Sequence, residues 1–236
     1  MRMGIGVTGV LQATPEQRGW LSNAYKELRE FDVEYSAKNK WPVSIKITTC
    51  KPSGTLSLLP GVTPGIHPAF SKFMIRRIRI ASEHPLVNVC KEHGYHVEFN
   101  QNIDGSDDYS TVVVSFPFRY PDTAITASEM TALQQLEEIR KLQQDWSDNS
   151  VSCTVYYRKE ELPAIQEYLL NNYKTSHKSL SFLLHSGHGF NQAPMEEISE
   201  EAFNLLVANT RSITGVSGNI DFDAADDCAG GMCPVK

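Results

Sequence analysis

The chain has 236 residues, 41% hydrophobic and 21% charged, which is the composition of a folded protein with a sizeable core and excludes a disordered or fibrous chain. Lys and Arg number 22 against 28 Asp and Glu, and the resulting net charge of -6 argues against a nucleic-acid-binding role. No apolar run approaches the roughly 18 residues of a membrane span, and five cysteines without an export signal predict reduced thiols in the cytoplasm.

The N-terminal part of the chain predicts a capped helix, a strand and a loop, in that order. Thr14-Pro15-Glu16-Gln17 combines an N-cap threonine, a proline at the first helical position and a glutamine that closes a capping box, and it predicts a helix over 15–31. Alternating apolar residues predict a strand over 41–49. A loop rich in proline and glycine follows over 52–68.

The rest of the chain alternates predicted strands and helices. Thr126-x-x-Glu129 predicts a second capped helix that ends near Trp146. The other predicted elements are strands over 75–80, 95–99, 111–116 and 150–157, and helices over 161–172 and 199–210. Because strands and helices interleave, we expect an α/β fold with a parallel component.

A short polar turn, Lys51-Pro52-Ser53-Gly54-Thr55, follows the predicted strand and precedes a predicted short helix over 56–59. A strand, a small-residue turn and a helix start together present free backbone N–H groups and hydroxyls, which is how proteins hold phosphate without a dedicated charge. A plain turn explains the same residues, because Pro, Ser and Gly are common turn formers.

Two further patterns are a pair of arginines on one predicted strand and two pairs of closely spaced histidines. Arg77 and Arg79 share one face of a predicted strand, either beside a bound anion or on a solvated surface. Histidines three residues apart, in 93–96 and 185–188, lack further ligands at workable spacing, so we interpret them as loop histidines and expect no metal site.

Cys228 and Cys233 form a pair of thiols in the C-terminal segment, separated by Ala229-Gly230-Gly231-Met232. From Asn219 the composition becomes acidic and rich in glycine, which predicts a mobile tail. Such a pair can carry electrons inward from a soluble reductant by thiol–disulfide exchange. Half of a zinc site or two idle surface thiols are the alternatives.

Taken together, these segments resemble the C-terminal part of the catalytic chain of adenosylcobalamin-dependent (class II) ribonucleotide reductases, and most closely the monomeric ribonucleoside-triphosphate reductases. The resemblance covers nearly the whole chain, least clearly over 100–125. The matching motifs follow the family's order: Thr48 to Thr55, Gly61-Val62-Thr63-Pro64-Gly65-Ile66-His67-Pro68, Arg76-Arg77-Ile78-Arg79, Trp146 to Thr154, His188 to Pro194, and Cys228 to Pro234.

The resemblance implies a radical enzyme that removes the 2′-hydroxyl of a ribonucleotide inside a ten-stranded α/β barrel. It implies substrate-phosphate contacts at Ser53, Gly54 and Thr55. It also implies that Cys228 and Cys233 re-reduce the active site and are themselves reduced by thioredoxin. Adenosylcobalamin is the implied cofactor, whereas Cys153, at an alternating strand position, remains a predicted core residue.

One family feature is missing from this sequence. The family's radical cysteine lies in an Asn-Pro-Cys-Gly-Glu loop, and none of the five cysteines here follows a proline. We therefore expect residues 1–218 to form a partial barrel, residues 219–236 to form a redox tail, and an N-terminal reductase fragment to supply the radical cysteine and much of the cobalamin site. A non-catalytic thiol-redox or binding module derived from the same fold is the alternative.

Overall fold

A computed structural model describes residues 2–185 and 191–214 of the chain. It divides the chain into two compact units, the first formed by Met1–Lys72 and Arg119–Gly187 and the second by Phe73–Phe118 and His188–Lys236. The boundary expected at residue 218 lies outside the described residues. In the described ranges, no helix is long and apolar enough to cross a membrane.

The first unit alternates strands with helices. In chain order its elements are β1 (Arg2–Gly6), α1 (Pro15–Asn39), β2 (Lys46–Thr49), a short 3-10 helix (Leu56–Leu58), and, after the second unit's insertion, α3 (Ala132–Asp145), β6 (Thr154–Tyr157), a 3-10 turn (Lys159–Glu161), α4 (Leu162–Ser176) and β7 (Ser181–Leu184). This order confirms the α/β prediction.

The strands of the first unit run parallel. β1 pairs with β2, and β6 pairs with β7, both in parallel. A parallel bridge between Cys50 and Val151 joins the end of β2 to the start of the β6 segment. Among the described residues, the first unit therefore has two two-stranded parallel sheets, β1-β2 and β6-β7, linked by this bridge.

The core of the first unit lies between these strands and their helices. Leu136, Ile139 and Leu142 form the buried stripe of α3, and Val151 and Val155 come from the β6 segment. Burial of a side chain of this size stabilises the fold by about 1.5–3 kcal/mol. The strand predicted over 150–157 places Val151, Cys153 and Val155 on one face. This alternation is confirmed, because all three side chains are buried.

The second unit is a four-stranded sheet with two helices. The elements are β3 (Phe73–Ala81), α2 (Pro85–Glu92), β4 (His96–Gln101), β5 (Asp107–Arg119), β8 (Met195–Glu197) and α5 (Glu200–Asn209). The strands lie in the order β4-β5-β3-β8, and the β4–β5 and β3–β8 pairs are antiparallel. Phe203 of α5 packs against Phe73 of β3, with ring centroids 5.3 Å apart.

Helix α1 begins where the sequence predicts and ends later. Thr14 accepts a hydrogen bond from the Gln17 N–H, and the Gln17 side chain accepts one from the Thr14 N–H, so the predicted capping box is confirmed. The helix continues to Asn39 and stops at Lys40, whose φ of 56° is left-handed.

Three predicted starts lie too early. The strand predicted over 150–157 begins at Thr154, after an isolated bridge at Val151. The strand predicted from residue 41 begins at Lys46, because the Asp32 carboxylate holds the Ser44 N–H (2.9 Å) and hydroxyl (2.9 Å) and fixes the preceding residues as a loop. Thr126 and Glu129 make capping-type hydrogen bonds, but α3 begins only at Ala132 under a second capping box, Thr131 with Gln134.

Candidate functional site

The turn that follows β2 presents unpaired backbone donors at the carboxyl end of a parallel strand. Ser53 has a left-handed φ of 51°, and its carbonyl accepts the Ser57 N–H at 3.0 Å. In the part of the chain that the structure describes, the N–H groups of Gly54, Thr55 and Leu56 donate to no protein acceptor. Ligands of α/β proteins bind at this edge of the sheet, and free N–H groups in a turn are available to an anion. We refer to residues 53–56 as the cradle.

The loop that contains Gly65 packs against the start of this turn. Gly65, with a φ of 58°, lies so close to the Lys51 carbonyl that a side chain at this position would overlap the oxygen. The loop is fastened to the segment after β1, because the Gly65 N–H donates to the Thr8 hydroxyl (2.8 Å) and the Val10 N–H donates to the Gly65 carbonyl (3.0 Å). The Gly65 loop therefore links the cradle turn to the segment that follows β1.

His67 joins the same loop to the β6 segment. Its Nδ1 lies 3.0 Å from the Pro64 carbonyl, and its Nε2 lies 3.0 Å from the Thr154 N–H. Since the Thr154 N–H can only donate, Nε2 carries no proton, and the imidazole is neutral with its proton on Nδ1. Burial lowers the pKa of His67, and the hydrogen bond to Pro64 offsets this only in part.

We expect this neutral imidazole to make stability depend on pH. Because its pKa is lowered on folding, His67 binds protons more readily in the unfolded chain, so its contribution is complete above the unfolded value of about 6.5 and is lost as the pH falls below it. His67→Gln cannot titrate and loses packing and hydrogen bonds, so its free energy of unfolding at pH 7.5 should be about 1–2 kcal/mol lower.

Urea unfolding between pH 7.5 and pH 5.5 tests this expectation. The difference between the wild type and His67→Gln should shrink as the pH falls. Parallel profiles for the wild type and His67→Gln would show that His67 is not the titrating group.

Cys50 and Cys153 are core thiols, and Cys50 directly precedes the segment that forms the cradle turn. Their side chains are 0% and 5% exposed, and both belong to the core of the first unit. Burial raises the pKa of Cys50 to about 12, and burial together with the neighbouring Cys50 raises the pKa of Cys153 to about 12. Thiols that stay protonated are poor nucleophiles. The prediction that Cys153 is a core residue is confirmed, because its side chain is buried in the core of the first unit.

A segment that the sequence did not mark as structural, residues 146–149, fastens β2 to α3. The Trp146 indole N–H donates to the Thr49 carbonyl at 3.0 Å, and the Asn149 amide donates to the Thr48 carbonyl at 2.8 Å. Thr48 in turn donates its hydroxyl to the Trp146 carbonyl. The signal available in the sequence was a run of small polar residues between a helix and a strand.

Asp148 is the electrostatic centre of this segment. Its carboxylate accepts hydrogen bonds from the Tyr25 hydroxyl (2.8 Å), the Ile47 N–H (2.9 Å) and Arg29 (3.0 Å). Burial raises the pKa of Asp148, but the hydrogen bonds from Ile47 and Tyr25 and the charge of Arg29 outweigh it, and the net shift is downward. One carboxylate therefore ties α1 to β2 and to the α3–β6 connection.

In the second unit, Arg77 and Arg79 bind the chain itself. Arg77 donates to the Ala193 carbonyl (3.1 Å) and pairs with Glu196 (2.5 Å). Arg79 donates to the Asn100 side chain (2.9 Å) and to the Gln192 carbonyl (3.3 Å). Arg77 is half-buried and holds the 192–196 segment against β3, so a solvated face does not describe it. Arg79 makes its hydrogen bonds at an exposed position, as the solvated-face alternative expects.

The remaining predicted site residues, Cys228 and Cys233, lie outside the described residues, as do His188, Gly189 and Phe190. The structure thus presents Ser53, Gly54 and Thr55 together on one turn and leaves their relation to the tail thiols as a prediction. Among the described residues, no group of three or more ligating side chains is arranged to hold a metal ion.

Comparisons with known proteins give consistent matches. A family model described as "Ribonucleotide reductase, barrel domain" matches residues 22–183. The chain is 36% identical over 220 residues to a Dictyostelium discoideum protein named a probable adenosylcobalamin-dependent ribonucleoside-triphosphate reductase, covering 90% of this chain and 28% of the relative. It is 36% identical over 236 residues to the adenosylcobalamin-dependent ribonucleoside-triphosphate reductase of Lacticaseibacillus paracasei, covering 94% and 31%.

A solved structure agrees with these relatives. The fold matches a crystal structure of a B12-dependent (class II) ribonucleotide reductase with a TM-score of 0.73 at 29% identity, over 88% of this chain and 28% of the other. The chain therefore spans less than a third of the length of the relatives just described.

Proposed function

This chain belongs to the ribonucleotide reductase barrel-domain family, and we propose that it supplies the C-terminal part of an adenosylcobalamin-dependent ribonucleoside-triphosphate reductase. In the reaction proposed, the 2′-hydroxyl of a ribonucleotide leaves as water, and two thiols are oxidised to a disulfide, which balances the two electrons that the sugar gains. We expect the chain to be inactive without a reductase segment that carries the radical cysteine.

The observation that carries this proposal is the cradle of free N–H groups at Gly54, Thr55 and Leu56. Together with the Thr55 hydroxyl, these groups suit the oxygens of a substrate phosphate, because an anion accepts several N–H bonds at once. The Ser53 hydroxyl donates to the Lys51 carbonyl at 3.3 Å in this structure and would turn from it to the phosphate. The cradle lies at the carboxyl end of β2, where a substrate inside a barrel of parallel strands would be bound.

The tail thiols complete the proposed role. Cys228 and Cys233 would reduce the active-site disulfide by exchange and pass the resulting disulfide to a thioredoxin-like protein. Support comes from elimination: the described thiols Cys50, Cys90 and Cys153 are unpaired and buried, so they are poorly placed for exchange. Dependence on a thiol reductant also supports a cytoplasmic location.

The cavity beside α4 does not fit the cofactor. Adenosylcobalamin carries many amide groups around its corrin ring and needs a correspondingly polar site. An open cavity of about 550 Å³ beside α4 is lined by Gln166, Leu169, Leu170 and Tyr173, which are mostly apolar. We therefore place the cofactor on the part of the reductase that this chain does not match, and we assign it no contact here.

Reconstitution from the source cells tests the proposal. A tagged chain should capture a larger polypeptide with an Asn-Pro-Cys-Gly-Glu loop, identified by mass spectrometry, and the purified pair should form deoxyribonucleotides. Cys228→Ser should stop turnover with a thioredoxin-like reductant after about one cycle, because the disulfide is no longer reduced, whereas Cys90→Ala should continue.

Two results would contradict the proposal. Failure to capture such a polypeptide, with a soluble monomeric chain, would favour the non-catalytic redox or binding module. Full turnover by Cys228→Ser would remove the tail from the electron path.

A further inference from the structure

Thr8 lies just beyond the carboxyl end of β1, at the edge of the β1-β2 sheet where the cradle follows β2. β1 and β2 are parallel, so both chain segments leave the sheet at this edge. The Thr8 side chain is exposed, but its hydroxyl makes two hydrogen bonds. It donates to the Thr63 carbonyl (3.1 Å) and accepts the Gly65 N–H (2.8 Å). One hydroxyl therefore fixes the chain on both sides of Pro64.

The segment that Thr8 fixes contacts the start of the cradle. Because Gly65 has no side chain, it lies directly against the Lys51 carbonyl and close to the Pro52 Cα. Lys51 and Pro52 directly precede Ser53, the first residue of the cradle. A displacement of Gly65 is therefore passed to the cradle through backbone atoms, which cannot rotate out of the way as a side chain can.

Backbone hydrogen bonds keep the same segment attached when the Thr8 hydroxyl is removed. The Gly9 N–H donates to the Thr63 carbonyl (2.8 Å), and the Val10 N–H donates to the Gly65 carbonyl (3.0 Å). The group that loses its acceptor is the N–H of Gly65, which is a buried residue. A buried donor without a partner is unfavourable, so we expect Gly65 to move toward another acceptor while the loop stays in place.

We propose that Thr8 is a positioning residue for nucleotide binding, whose hydroxyl sets how the Gly65 loop lies against the cradle and so places the free N–H groups of the cradle for the substrate phosphate. This inference rests on the proposed function. The phosphate of a ribonucleotide is on the 5′ oxygen, away from the 2′ carbon at which bonds change, so the cradle binds it equally before and during the reaction. Binding of that kind lowers KM and leaves kcat unchanged.

Two variants of Thr8 separate the hydroxyl from the shape of the side chain. Thr8→Val replaces the hydroxyl by a methyl group, and Thr8→Ser keeps the hydroxyl. In the purified pair of chains, Thr8→Val should raise the KM for a ribonucleoside triphosphate about 10-fold, as for one lost hydrogen bond, with kcat within about twofold. Thr8→Ser should return KM to within about threefold of the wild type.

Thr131→Val is the matched control, because it makes the same exchange on another element of the first unit. The Thr131 hydroxyl caps α3 by accepting the Gln134 N–H at 3.2 Å. Loss of this cap should lower thermal stability and leave KM unchanged. Circular dichroism and thermal unfolding establish that each variant is folded at the assay temperature.

Hydrogen exchange of the chain alone gives a readout that needs no turnover. The Ser57 N–H donates to the Ser53 carbonyl at 3.0 Å and closes the cradle turn. Its exchange should be faster in Thr8→Val than in the wild type, because the turn opens more often when Gly65 is displaced. Thr8→Ser and Thr131→Val should exchange at the wild-type rate.

The outcomes separate this inference from the proposed function. A raised KM with unchanged kcat in Thr8→Val, restored in Thr8→Ser, supports the positioning role. An unchanged KM, a fall in kcat alone, or an equal rise in KM for Thr131→Val overturns it and leaves the proposed function standing. If the wild-type pair forms no deoxyribonucleotide, the proposed function fails. Faster exchange at Ser57 in Thr8→Val would then still support the link from Thr8 to the cradle, and unchanged exchange would overturn it.

Discussion

Gly65→Ala is expected to lower the free energy of unfolding by about 3–5 kcal/mol, near the upper end for a single substitution. The added methyl group would overlap the Lys51 carbonyl oxygen and lie 3.5 Å from the Pro52 Cα. Both neighbours are backbone atoms directly before Ser53, so the strain cannot be relieved by moving a side chain. We expect the cradle turn to shift as well, and nucleotide binding by the assembled enzyme to weaken with it.

Gly61→Ala separates this overlap from the cost of a left-handed backbone. Gly61 has a φ of 67°, close to that of Gly65, but an added methyl group there would meet no atom within 4 Å. Its substitution should cost only the left-handed penalty of about 1–2 kcal/mol. Urea unfolding of both variants at one pH measures the difference, and equal losses would show that the approach to Lys51 is not tight.

Local signals explain which elements could be predicted from the sequence. The start of α1 depends on Thr14 and Gln17, three residues apart, and was predicted correctly. The turn at Ser53, Gly54 and Thr55 could be placed after β2 because its residues follow that strand directly, and its phosphate contacts stay a prediction. Thr126 and Glu129 have the same spacing but open no helix, because a parallel bridge pairs Thr126 with Ala69 and holds the chain in an extended path.

Long-range contacts account for what the sequence did not reveal. The start of β2 depends on Asp32, 12 residues before Ser44, and the base of the cradle depends on His67, which bonds Thr154 across 87 residues. Helix α2 was missed because it is short; its first turn is capped by His84, whose imidazole accepts the Leu86 N–H. No spacing rule on a single sequence reports the Asp32–Ser44 and His67–Thr154 pairs, since they form only once the chain has folded.

Asp148→Ala is expected to lower the free energy of unfolding by about 2–4 kcal/mol, because it leaves three donors without their acceptor. The Tyr25 hydroxyl, the Ile47 N–H and Arg29 all bind this carboxylate, and the Arg29 and Asp148 side chains are only 28% and 16% exposed. Asp122→Ala is the matched control. Asp122 pairs with Lys72 (2.6 Å) and Arg119 (3.1 Å) but is 68% exposed, so its urea midpoint should not change measurably.

Acid titration adds an independent test of the same carboxylate. The pKa of Asp148 is lowered on folding, so its contribution is complete above the unfolded value of about 3.9 and disappears as the pH falls through the lower folded value. The stability difference between the wild type and Asp148→Ala should therefore be constant from pH 7 to pH 5 and shrink below about pH 4. A difference that stays constant to lower pH, or a loss no greater than that of Asp122→Ala, would show that Asp148 does not hold α1 to β2.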